Sequence, residues 1–161
     1  MKVDATEICA QQREILRNFQ RVKFRAWWLF SAVSFELALS ETENDQVHVR
    51  AELGWPAQIE EWTMERKASS QFRRDLAASA AAELEGTYSL EGEVAPLEAG
   101  SWEFRVWDGA HNLTADGHGV WPVQARELCR LLSRYGMPDF WNEEHGTIGF
   151  WGNRGVPAKA S

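Results

Sequence analysis

Two apolar–polar alternations separated by six polar residues constrain this chain most. Val33, Phe35, Leu37 and Leu39 alternate with Ser34, Glu36 and Ala38; after ETENDQ (41–46), Val47, Val49, Ala51 and Leu53 alternate with His48, Arg50 and Glu52. A period of two puts each apolar set on one side of a strand. The polar interval supplies the turn, so an antiparallel hairpin with one dry and one wet face is predicted, ended by Gly54-Trp55-Pro56. Trp102, Phe104 and Val106 repeat the alternation against Glu103, Arg105 and Trp107.

The rest of the chain is read around these strands. Residues 5–25 predict a helix on the spacing of Ile15, Phe19, Val22 and Ala26, with Asp4 or Thr6 as its cap. Residues 57–84 also predict helix: Phe72, Leu76, Ala80 and Leu84 form one stripe, 77–82 is alanine-rich, Ser69-Ser70 marks a point of division, and Gly86 is a stop. Three strands follow: one around Tyr88, Leu90 and Val94, one at 102–106, and one at 112–116 after the Asp108-Gly109 turn. Pro122 opens a last helix whose apolar face is Leu128, Leu131, Leu132 and Tyr135, closed by Gly136 and Pro138. The aromatic, glycine-rich tail holds a short strand at 147–151 or packs as an irregular arm. The expected fold class is α+β: a mostly antiparallel sheet of about five strands, order α-ββ-α-βββ-α, with helices packed on one face. Residues 1–155 form a single domain and 156–161 a loose C-terminal tail.

Charge narrows the partners. The net charge of −7 argues against a nucleic-acid face. Its distribution is uneven. Residues 11–26 carry Arg13, Arg17, Arg21, Lys23 and Arg25 against Glu14, while residues 86–125 carry Glu91, Glu93, Glu98, Glu103, Asp108 and Asp116 against Arg105. The opening MKVDATEICAQQRE lacks the apolar stretch of a signal peptide, and no run has the length of a membrane span. Cys9 and Cys129 fall in helical patterns. A cytoplasmic protein with reduced thiols, no cofactor and no membrane partner is expected.

Four groups of residues are candidates for function. His111, Asp116 and His118 carry the donor atoms of a zinc site and would serve a small metal-dependent hydrolase. Their H-x4-D-x-H spacing matches no standard ligand set, and the stretch DGAHNLTADGHGVWP (108–122) also reads as turn, strand, glycine joint and helix start. Glu91, Glu93 and Glu103 lie on the solvent phase of their strands, either as a solvated face or as a dock for a cationic protein. Trp107 has the opposite phase to Trp102, which places it on the outer face beside them, and Glu143 and Glu144 in the tail extend the partner-binding set. The nine tryptophans are more than a small core easily buries. Trp27, Trp102 and Trp121 fit core positions, and the surplus suits an interface with another protein, a homodimer, or a Trp-lined pocket for a small ligand. Cys129 reads as a buried small hydrophobe, and no nucleophile-elbow, zincin, paired-cysteine or phosphate-loop motif occurs.

The string W-E-F-R-V at 102–106, then Gly117-x-Gly119, Trp121-Pro122 and the L-x-x-L-L run at 128–132 resembles the strand–strand–helix ending of small bacterial proteins, some uncharacterised and some of immunity-protein type. The resemblance covers about a third of the chain and rests on folding residues. It implies a non-catalytic protein that neutralises another protein, and it transfers no catalytic residue.

Overall fold

The computed structural model describes residues 5–27, 34–53, 58–89, 100–137, 141–142 and 147–148. The chain is α+β. Helix α1 (Ala5–Arg17) leads into a four-strand meander, β1 (Arg21–Trp27), β2 (Ser34–Glu41), β3 (Val47–Leu53) and β4 (Gln58–Thr63). Helix α2 (Arg66–Ala78) and a 3-10 turn (Ala80–Glu83) follow, then β5 (Gly86–Ser89), β6 (Ser101–Trp107), β7 (Asn112–His118) and helix α3 (Val123–Arg134). Seven strands form one sheet in the order β4-β3-β2-β1-β6-β7-β5. Every pairing is antiparallel except β5 with β7. The hairpin strand β7 fills the slot between β6 and β5, which explains the one parallel pair. A separate two-stranded ladder joins β8 (Trp141–Asn142) to β9 (Thr147–Ile148).

Two strands lie inside segments expected to be helical. The first helix ends at Arg17, and Arg21–Trp27 is the central strand. Val22 and Ala26 suit helical spacing, but Phe24 does not, and Val22, Phe24 and Ala26 alternate with Arg21, Lys23 and Arg25. Long cationic side chains are tolerated on a helix and on the wet side of a strand alike, so composition does not separate the two. Likewise Gln58–Thr63 is strand β4, where Trp62 lies half-buried opposite Val49. Ser69 does not divide α2. It is buried, and its hydroxyl accepts from the Val47 amide at 2.9 Å and donates to the Met64 carbonyl at 3.3 Å, fixing the start of β3 to the start of α2. Gly86 opens β5 at φ +70 rather than closing a helix. Pro122 stands just before α3 as its capping residue, its carbonyl accepting from Ala125 at 3.0 Å.

The apolar phase of the sheet is continuous across strands. Leu37, Phe24, Phe104 and Ala115 are register partners in turn, as are Leu39, Val22, Val106 and Leu113. They join Leu16, Phe19, Phe72, Leu76, Leu128 and Leu132 in one buried cluster. An aromatic chain ties the helix ends together. Phe72 meets Phe19 edge-on at 6.1 Å and Tyr135 at 4.9 Å. Arg73 caps this chain: its guanidinium lies 4.1 Å over the Phe19 ring and donates to the Phe19 carbonyl at 2.8 Å. Arg13 reaches the C-terminal end of α2, donating to the Ala77 carbonyl at 2.6 Å.

The Tyr135 hydroxyl donates to the Asp75 carboxylate. Burial, with the hydrogen bond to Asp75, pushes the Tyr135 hydroxyl up to about 12; the hydrogen bond from Tyr135, then that from Gln71, holds Asp75 below its ordinary range. A raised folded-state value means that the stabilisation is intact below the unfolded tyrosine value of about 10 and is lost as pH climbs from there toward 12. Tyr135→Phe keeps the ring contact and removes the bond. It should cost roughly 1–2 kcal/mol at neutral pH and flatten the alkaline limb of the stability curve, read by urea denaturation. An alkaline limb unchanged in the variant would dissociate Tyr135 from that titration.

The second fixed point is Trp102. It is fully buried, its indole N–H donates to the Val120 carbonyl at 2.8 Å, and Tyr88 and Trp121 pack on it with centroids at 5.9 and 5.8 Å. Opposite it on β7 is Gly117, where an added Cβ would fall 2.1 Å from Trp102 Nε1 and 2.7 Å from the Val120 carbonyl oxygen. Gly117→Ala should therefore lower stability by roughly 1–3 kcal/mol through overpacking. An unchanged urea midpoint would show that the indole has room to yield.

Candidate functional site

The opposite phase of the same strands makes a polar face. Two rows cross its middle. The first runs through Arg50 on β3, Ala38 on β2, Lys23 on β1 and Arg105 on β6. The next, two residues along each strand, runs through Glu52, Glu36, Arg25 and Glu103 and reaches Asp116 on β7. With Arg21 beyond the first row and Glu61 on β4, one half of the face holds Arg21, Lys23, Arg50 and Arg105 against Glu61. The other holds Glu36, Glu52, Glu103 and Asp116 against Arg25. Register, not net charge, sorts the signs into two bands.

Ion pairs stitch the bands together. Glu103 bonds Arg105 at 2.6 Å, Glu52 bonds Arg50 at 3.0 Å, and Glu36 bridges Lys23 at 3.4 Å and Arg25 at 3.7 Å. The cations are the wetter partners: Arg105 is 63% and Lys23 47% exposed, against 21% for Glu103. Two tryptophans frame the bands from opposite ends of β1. The Arg21 guanidinium lies 5.3 Å over Trp107, and that of Arg25 lies 5.4 Å over Trp27. Both indoles are half-buried. Trp107 is on the outer phase, as expected. Trp27 belongs there too, not in the core, because it follows Ala26 on the pleat.

The other candidates separate. His111 sits in the β6–β7 turn, where the Asp108 carboxylate accepts from the amides of Ala110 at 2.9 Å and His111 at 2.6 Å. Those two backbone bonds hold Asp108 below the usual carboxylate range. His118 is at the far end of β7 and meets Asp116 at 2.9 Å, while Thr87 donates to the other Asp116 oxygen at 3.0 Å. Seven residue steps along the strand separate the two histidines by roughly 20 Å, so His111 does not join Asp116 and His118 around one ion. Among the described residues no three such side chains are placed to hold a metal. Tyr88 and Trp121 pack on Trp102, whose indole N–H is taken by the Val120 carbonyl. Cys129 is buried on α3 and Cys9 half-buried on α1.

Glu103 is therefore one member of a mixed-charge face. Glu91, Glu93, Glu143 and Glu144 lie outside the described residues. The cationic residues of 11–26 do not share one helical surface: Arg13 serves α2, Arg17 pairs with Glu14, and the other three stand on β1. Carrying the first helix on to residue 25 hid the banded face, and the alternation RVKFRAW was the available signal. No helix among the described residues is long and apolar enough to cross a membrane.

Exposed pairs of this kind contribute little to stability. In a double-mutant cycle on Glu103 and Arg105 the coupling should stay below about 1 kcal/mol. A larger value would make the pair a folding element and disqualify its residues as recognition groups. No known protein family, curated protein or solved structure matches the chain.

Proposed function

We propose that this chain is a non-catalytic protein-binding domain, in its most concrete form a cytoplasmic inhibitor of the immunity-protein type that neutralises a partner protein. Its recognition surface is the polar face of the sheet, with α1, α2 and α3 gathered on the apolar side. The observation that carries the reading is the banding of charge between two half-buried tryptophans, Trp27 and Trp107. Salt-tolerant apolar contact and salt-sensitive steering are thereby offered on one surface. Glu103 and Trp107 are the contact residues on the sheet, and Glu91, Glu93, Glu143 and Glu144 are the further acidic contact residues of this reading, for a partner with basic patches. The net charge of −7 favours such a partner at long range.

The test is affinity capture from a lysate of the source cells, with tagged wild type beside a Trp107→Ala, Glu103→Lys variant whose fold is checked by circular dichroism. Wild type should retain one protein in near-equal amount, released by high salt. The variant should retain at least tenfold less, since a tryptophan anchor in an interface is worth about 2 kcal/mol or more. Equal recovery by both chains would remove this face from the binding site.

A further inference from the structure

The banded face is complementary to itself, and we infer that it pairs with a second copy of the chain. This rests on the reading of the face as a recognition surface and names its occupant. A two-fold axis lying in the interface, along the boundary between the two rows, turns one copy over and lays its cationic row on the acidic row of the other. Each strand then lies over its own counterpart. Arg50 of each copy meets Glu52 of the other, and Arg105 meets Glu103. Lys23 comes down over Arg25, flanked by Glu36 and Glu103 on the neighbouring strands. At the rim the same operation sets Arg21 of one copy over Trp27 of the other, repeating across the interface the cation–π contact that Arg25 makes within the chain.

The area is sufficient. Seven strands spaced about 4.8 Å apart, with about seven residues each, give a face of roughly 600 Å² per copy, or about 1,200 Å² for the pair. That reaches the lower end of standard specific interfaces, about 1,200–2,000 Å². Sheets stacked face to face keep their strands within about 30° of each other, which the in-plane axis allows. Because the contacts are ionic, the dimer is salt-sensitive and exchanges readily.

Two complementary variants test this pairing. One carries Arg50→Glu and Arg105→Glu, the other Glu52→Lys and Glu103→Lys. Within either variant, like charges meet across the two-fold. In a mixture, the reversed row of each lies on an opposite row of the other. Sedimentation velocity should show wild type dimerising at about 50 mM salt and dissociating near 500 mM, as the Debye length falls to a few ångström. Each variant alone should be monomeric, and their equimolar mixture should restore the dimer. A mixture that stays monomeric, or a wild type that is monomeric at low salt, overturns the pairing. The salt series on wild type needs no substitution and stands if a variant fails to fold. A wild type that is monomeric at low salt yet still captures another protein would overturn the self-pairing alone and leave the recognition reading in place.

Discussion

The pleat of strand β1 is the constraint on which the rest depends. It lies near the middle of the sheet and is paired along its whole length with β2 and β6. Its register sends Val22, Phe24 and Ala26 one way and Arg21, Lys23, Arg25 and Trp27 the other. A slip of one residue would bury three cations and expose a phenylalanine that is now fully covered. The penalty for burying unpaired charge far exceeds what any ion pair on the wet face returns, so core and face are set by one decision. The charged bands are a consequence of that register. They do not hold it in place.

A second decision is made at Trp102. Its indole occupies the volume that a side chain at Gly117 would need, and its N–H closes on the Val120 carbonyl. This ties β6, β7 and the entry to α3 together at one point. The stretch DGAHNLTADGHGVWP thus has its answer in topology. Asp108 closes the turn with backbone hydrogen bonds, Leu113 and Ala115 enter the core, Gly117 makes room for the indole, and Pro122 sets the direction of α3. Its two histidines are left at opposite ends of a strand, each beside an aspartate.

The sequence was legible where a pattern had a single explanation. The hairpin of β2 and β3, strand β6 with its outward Trp107, and the apolar face of α3 follow directly from period and phase. It was not legible where two periods overlapped. Val22 and Ala26 are four apart and satisfy a helix, yet with Phe24 they also satisfy a strand. The decision belongs to partners at a distance, Leu37, Leu39, Phe104 and Val106, which no local window contains. Strand β4 was hidden for a related reason. QIEEWT has two adjacent glutamates and no strict alternation, as suits an edge strand with only one neighbour. The banded face could not be read before these two strands were placed, because three of its cations stand on β1.

Net charge is therefore a poor guide to this surface. A chain at −7 suggests an acidic dock, and the acidic stretch of residues 86–125 points the same way. On the folded sheet, Glu103 lies between Arg25 and Asp116 across the strands and bonds Arg105 along its own. What a partner meets at contact distance is an ordered alternation of sign, while the net charge acts only beyond the Debye length of about 10 Å. The two ranges do different work. In the proposed recognition, the long-range field sets how often a basic protein arrives, and the bands set which surface, in which orientation, remains. In the proposed pairing the two-fold fixes one orientation for a second copy, and any other protein bound there would have to present the same rows in reverse.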